Sequence, residues 1–151
     1  MIPCNEVRTG NYALVSGNII KITSIQNDME AAAQPMLGFR DTSGAYRTVP
    51  ARDAEAVPLT DEILKQCGFA LHDYFHFWQL VSITEGPRSE MDIDADYNLI
   101  DFMRRTLVKK MASLHQLQNV YFALKGTELP FAPPQDPASV TRVQARPSVP
   151  A

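Results

Sequence analysis

Three groups of residues combine types and spacings that chemistry requires. His72 and His76 stand four apart, with Cys67 just upstream. Imidazole and thiolate are zinc ligands, and histidines so spaced share a face on a helix or a strand. No second cysteine pair and no acidic base in a helical zinc motif accompanies them. They read better as histidines on an aromatic strand, and no metal site is expected. Asp92, Asp94 and Asp96 imitate the opening of a calcium loop, but such a loop needs Gly at its sixth position and Glu at its twelfth. Those positions hold Tyr97 and Met103, so a solvated acidic loop is the expectation.

Covalent chemistry finds no support. No serine stands in a Gly-x-Ser-x-Gly elbow, and there is neither a phosphate-cradling P-loop nor a dinucleotide fingerprint. Cys67 falls in the last turn of a short helix, whose negative end raises a thiol pKa rather than lowering it. No catalytic residue is assigned and no cofactor is implied.

Binding chemistry remains. The pairs Arg104-Arg105 and Lys109-Lys110 have two readings. They can hold phosphate groups, Arg by bidentate contact and Lys as a point charge. They can equally be a solvated face, which is the usual fate of surface cations. His115, Gln118, Asn119 and Phe122 recur at i, i+3, i+4 and i+7 of a helix. Three groups that both donate and accept, beside an aromatic ring, can read a planar ligand. The same amides can instead pin neighbouring loops, because buried polar groups need partners in either case. The candidate ligand contacts are Arg104, Arg105, Lys109, His115, Gln118 and Asn119, with Tyr74 or Trp78 as a stacking surface.

The elements that must position these residues can be traced along the chain. Tyr12 to Val15 and Ile19 to Ile25 flank Ser16-Gly17-Asn18, a link suited to a hairpin. Leu37 to Arg40 and Tyr46 to Val49 flank Asp41-Thr42-Ser43-Gly44, a second turn. Short strands and turns over residues 5 to 58 predict a small barrel or curled sheet, SH3-like in size. Thr60 then caps a helix that ends at Gly68, with Phe69 folding back on Leu64. Leu71 to Ile83, aromatic and β-branched, reads as one strand. Glu85 to Asp96, polar and holding Gly86-Pro87, reads as a loop. Leu99 to Met111 fits a helix face or strands, with strands preferred. The last helix opens on a Ser113/Gln116 capping box, buries Leu114, Leu117, Tyr121 and Leu124, and stops at Gly126.

The reading is an α+β chain. An SH3-like β unit spans 1-58, an α+β unit packed on it spans 59-129, and a proline-rich flexible tail spans 130-151. The tail has few large apolar residues to offset its ordering entropy.

Composition narrows the partners. The 151 residues are 45% hydrophobic and 21% charged, enough for a packed core. The net charge of -3 argues against a general nucleic-acid binder or an anionic-membrane binder. No apolar run approaches a membrane span. The opening Met1-Ile2-Pro3-Cys4-Asn5-Glu6 lacks the layout of a secretory signal. Two cysteines without close spacing make no disulfide framework, and a reducing cytoplasm is expected.

One segment carries a resemblance. His115-Gln116-Leu117-Gln118-Asn119-Val120-Tyr121-Phe122-Ala123-Leu124-Lys125-Gly126-Thr127-Glu128-Leu129 resembles the closing block of a family of small phage and prophage proteins. The family also opens on a block like Ile2 to Tyr12 and has a central block like Pro58 to Leu64 leading to Gly68-Phe69. The three blocks occur here in the family order. This chain departs from the pattern in a longer acidic stretch at 84–98 and in its tail. The resemblance brings no catalytic residue to carry over. It implies a non-enzymatic phage accessory protein in the cytoplasm of a bacterial host. Such a protein would bind and sequester a small anionic ligand, a nucleotide-derived immune signal being one candidate, and would gain from forming a homo-oligomer. A protein-interaction module is the second reading, and a hydrolase acting on nucleotides, with His72, His76 or His115 in its site, the third.

Overall fold

Ser16 and Gly17 take left-handed φ values of 50° and 79°, the geometry of a two-residue hairpin turn that follows the twist of its strands. In the computed structural model of the chain, which describes residues 1–27, 35–81 and 89–133, they join β1 (Tyr12–Val15) to β2 (Asn18–Gln26). β3 (Met36–Arg40) pairs with the far half of β2, beyond an irregularity between Ile22 and Ser24, and β4 (Tyr46–Pro50) pairs with β3. A 3-10 turn at Ala51–Asp53 then carries β5 (Ala54–Glu55) to the opposite edge, beside β1. The order is β4-β3-β2-β1-β5. The sheet does not close into a barrel, so the curled-sheet alternative is the one the chain adopts. Gly38 is needed here. The Ser24–Tyr46 hydroxyl hydrogen bond of 2.6 Å crosses its Cα, where a Cβ would lie 2.1 Å from Ser24 Oγ.

α1 (Asp61–Gln66) follows the sequence closely. Thr60 Oγ1 accepts from the Ile63 N–H at 3.2 Å. At the other end the Phe69 N–H reaches the Leu64 carbonyl and the Gly68 N–H the Lys65 carbonyl, both at 3.0 Å. These two bonds define a Schellman ending, and both Leu64 and Phe69 are buried.

The second sheet is a meander of β6 (Ala70–His72), β7 (Phe77–Val81), β8 (Ser89–Ile93), β9 (Leu99–Ile100) and β10 (Thr106–Val108), neighbours in that order. It corrects two expectations. The single strand over Leu71 to Ile83 is a hairpin that reverses at 73–76, with His76 at φ 52°; residues 82 and 83 lie outside the described residues. No Gly, Pro or Asn marks that reversal, so composition concealed it. The loop from Glu85 to Asp96 contains the central strand β8. Met91 and Ile93 are buried there while Asp92 alternates with them, a half-buried strand whose acidic residues made it read as loop. Leu99 to Met111 holds two short strands, β9 and β10, around the turn at 101–105 and no helix, in line with the preference for strands.

Three turns share one design. Asp41, Asp94 and Asp101 each accept, through Oδ1, backbone N–H bonds from the second and fourth residues onward, at 2.9–3.0 Å. The third residue onward is left-handed each time: Gly44, Tyr97 and Arg104. Asp94 is thus a turn organiser.

α2 (Leu114–Lys125) ends at Gly126, φ 73°. Its start differs from the expected capping box. The Ser113 hydroxyl bonds His115 Nδ1 at 2.9 Å, and Gln116 Oε1 accepts from the Ala112 N–H at 2.8 Å. Residues 57–59 hold this start, because the Val57 carbonyl takes the Leu114 N–H and the Ala112 carbonyl takes the Leu59 N–H. Leu114, Leu117 and Tyr121 are buried as expected, but Leu124 is exposed. The buried arc also includes His115 and Gln118, which moves its centre away from Leu124 and leaves that residue at the margin.

Two apolar clusters result. One is built from residues between Ile2 and Ala54, the other from residues between Val57 and Leu129. β1 lies between them: Ala13 faces the first, while Tyr12 and Leu14 pack on the second. The tail expectation needs one correction. Phe131 packs edge-on against Tyr12 at 4.6 Å, and the Ala132 N–H reaches the Gln66 carbonyl, so residues 130–133 dock on the body. Residues 134–151 lie outside the described residues.

Candidate ligand-binding site

The polar stripe of α2 is where a ligand was expected. Its partners are the chain's own opening residues. Gln118 Oε1 accepts from the Tyr12 N–H at 2.9 Å, and its Nε2 donates to the Gly10 carbonyl at 3.0 Å. Asn119 Oδ1 accepts from Asn11 Nδ2 at 2.9 Å and from Arg8 Nε at 3.2 Å, while its Nδ2 donates to the Glu6 carbonyl at 2.7 Å. His115 Nε2 lies 3.2 Å from Glu6 Oε2. Arg8 then spans the outer turn, its guanidinium 4.2 Å from the Phe122 ring centroid and hydrogen-bonded to Glu128. That bond holds the Glu128 carboxyl below the usual carboxylate range. Asn11, His115 and Gln118 are buried. Each of their described polar contacts is intramolecular, as buried polar groups require. The opening and closing blocks singled out in the sequence therefore meet as two halves of one interlock.

A cleft opens on the neighbouring side of α2. It has a volume of about 360 Å³ and runs between the opening turn, the chain after β10 and the helix. Val108, Met111 and Val120 give it an apolar floor. Lys109 and Lys110 stand at one side, both exposed, and neither is paired with a carboxylate among the described residues. Asn5, Gln116 and Asn119 also line it, and so does Glu6, one of whose carboxylate oxygens lies against His115. The lining is amphoteric, holding two ammonium groups and one carboxylate.

The other expected contacts are distributed elsewhere. Arg104 and Arg105 do not line this cleft. The Arg104 guanidinium lies over Phe75, 4.3 Å from its centroid. Arg105 Nε bonds Asp101 Oδ2 at 2.9 Å. Tyr74 is 80% exposed on the β6–β7 hairpin, whereas Trp78 is only 4% exposed. Trp78 therefore packs in the second core and offers no stacking surface. Sequence reading missed Asn5, Glu6 and Gln116 as cleft residues. Gln116 was visible only as a capping residue, and the opening turn carries no pattern that places it against a helix more than a hundred residues later.

His72 is stacked on Phe77, ring centroids 5.3 Å apart. Among the described residues no group of three or more His, Cys, Asp and Glu side chains converges as a metal site would require. Burial pushes the Cys67 thiol up to about 12; the cause is desolvation rather than the helix end invoked from the sequence. No described helix is long and apolar enough to cross a membrane. Comparison of the chain with protein-family models, curated proteins and solved structures gives no match.

Proposed function

We propose that the protein is a non-enzymatic binding protein for a small anionic ligand, held in the cleft between Lys109, Lys110 and α2. The observation that carries this reading is a pair of exposed lysines that line a partly apolar cleft and have no carboxylate partner among the described residues. Two ammonium groups supply point charges for phosphate oxygens. Glu6, with the amides of Asn5 and Gln116, offers acceptors and donors to the rest of the molecule. A ligand carrying both phosphate and N–H or O–H groups matches both kinds of lining group, and a nucleotide has that chemistry. The resemblance to small phage proteins gives the binding a role: sequestration of a nucleotide-derived immune signal in the bacterial cytoplasm. The SH3-like reading of residues 1-58 belongs here too. It is supported by a four-strand meander followed by a 3-10 turn and a fifth strand returning to β1. In this reading the β unit is a scaffold that presents Asn5 and Glu6 to the cleft.

Thermal unfolding against a panel of linear and cyclic nucleotides tests the proposal. A ligand at about a hundred times its Kd stabilises by about 2.7 kcal/mol, a rise of roughly 5–10 °C in Tm for a chain of this size. The double variant Lys109→Ala, Lys110→Ala keeps its unliganded Tm and loses the shift. Arg104→Ala keeps the shift, because Arg104 lies outside the cleft. A flat panel, or a shift that survives the double lysine variant, would overturn the assignment.

A further inference from the structure

The turns opened by Asp41, Asp94 and Asp101 share one hydrogen-bond pattern, so each is a control for the others. Their tips carry Thr42-Ser43, Ala95-Asp96 and Phe102-Met103. The shared pattern uses only the Asp carboxylate and the backbone, with a left-handed residue after the tip. Two of the three turns form with small or polar tips. Folding of the turn therefore does not account for an aromatic ring and a thioether at the third. Phe102 is 86% exposed and Met103 63%, and large apolar side chains grouped in water mark a binding surface.

A complementary cavity lies beside them. Phe75, His76, Phe77, Asp94, Ile100 and Arg104 line a half-open pocket of about 170 Å³. A cavity of about 150 Å³ accepts a benzene molecule, so this pocket, with both aromatic and polar groups in its lining, has the volume for a single phenyl ring. Arg104 forms part of its lining, with its guanidinium already over the Phe75 ring, so an entering ring would join a cation–π cluster. The exposed ring of Phe102 does not occupy the cavity of its own chain. Projection and cavity are two residues apart on one surface, Phe102 beside Arg104. A two-fold axis needs this arrangement, because it presents the same patch on both partners. Asp73, Asp94, Arg104 and Arg105 give the surface both signs of charge, so it does not repel a copy of itself.

We propose that two copies of the chain pair through this end of the second sheet, the Phe102 ring of each entering the Phe75–Phe77–Ile100–Arg104 cavity of the other. The surface is separate from the Lys109–Lys110 cleft, and the inference stands independently of any ligand there.

Sedimentation velocity of the full chain from about 1 to 100 µM, the range in which modest interfaces dissociate, tests it. The wild-type chain should sediment as a dimer at the upper end. Phe102→Ser should weaken the dimer at least about tenfold, the effect of losing one buried aromatic anchor. It should keep its circular dichroism and Tm at low concentration, since the equivalent turns fold with Thr and Ala at that position. Arg104→Gly, which keeps the left-handed backbone and removes the cavity wall, should weaken the dimer as well. Thr42→Ala, at the matching tip of the first sheet, should leave it unchanged. A wild-type chain that stays monomeric throughout, or a dimer that Phe102→Ser leaves intact, overturns the proposal; the former would assign the tip to a different partner.

Discussion

Gln118 is the residue whose removal should tell most about how this fold is held. Its side chain is 1% exposed and bonds two backbone groups of the opening segment, the Tyr12 N–H and the Gly10 carbonyl. Gln118→Met is the informative change, because it keeps most of the volume and removes both hydrogen bonds. Each backbone group left buried without a partner costs about 1–3 kcal/mol. Two of them give a loss of about 2–6 kcal/mol, a large part of the roughly 5–15 kcal/mol that holds a domain together. Gln118→Ala removes the same bonds and opens a space. A water that enters the space can restore part of the pairing, so the alanine variant need not be the worse of the two.

Urea unfolding gives the first readout, as a lower midpoint at unchanged slope. Amide exchange gives the second. The Tyr12 N–H should lose protection in Gln118→Met beyond what the global loss explains, because its partner is the Gln118 side chain. A Gln118→Met protein within about 0.5 kcal/mol of wild type would refute the reasoning. It would mean that packing, not hydrogen bonding, is what Gln118 supplies.

Two further outcomes follow from titration and burial. Glu128 is held low chiefly by the Arg8 side-chain hydrogen bond, Asp41 chiefly by that of Arg47, and Asp101 chiefly by the Arg105 backbone N–H. A carboxylate depressed in the folded state contributes stability above its unfolded pKa, lost as pH falls through the folded value. Urea midpoints should therefore hold down to about pH 5 and fall progressively below about pH 4. Arg8→Met should remove Glu128's part of that fall, and a midpoint that rises on acidification would contradict all three assignments. The thiols give the other outcome. Cys4 is exposed and Cys67 buried with its thiol pushed up to about 12, so a thiol reagent at neutral pH should label one site in native protein and two in urea. Two fast sites in the native state would show that Cys67 is not sealed.

Local chemistry was legible where a few neighbouring residues decide the structure. Ser16-Gly17, the Asp41 turn, the Thr60 cap and the Gly68-Phe69 ending all depend on contacts within five residues, and all formed as read. The reversal at 73–76 was not legible, because its left-handed residue is His76 rather than glycine. β8 was not legible because the acidic residues of the stretch outweighed Met91 and Ile93 in the composition. The common geometry of the three turns was hidden for a related reason. Gly44 announces the left-handed position in the first, whereas Tyr97 and Arg104 occupy it in the others.

The polar stripe of α2 shows how far such a reading reaches. Spacing alone identified His115, Gln118 and Asn119 as side chains that need partners, and left open whether those were a ligand or the chain itself. Hydrogen-bond accounting decides the matter for the described contacts. Both ends of Gln118 and both ends of Asn119 are engaged by residues 6–12. A ligand could reach them only by displacing a segment that also carries the Arg8–Glu128 ion pair and the Asn11 side chain, buried among the same groups. The next face of the helix, with Gln116 and Val120, lines the cleft together with the two lysines, which have no carboxylate partner among the described residues. A binding site on this scaffold therefore has to be argued from what the interlock leaves unsatisfied, and that argument leads to Lys109 and Lys110 rather than to His115.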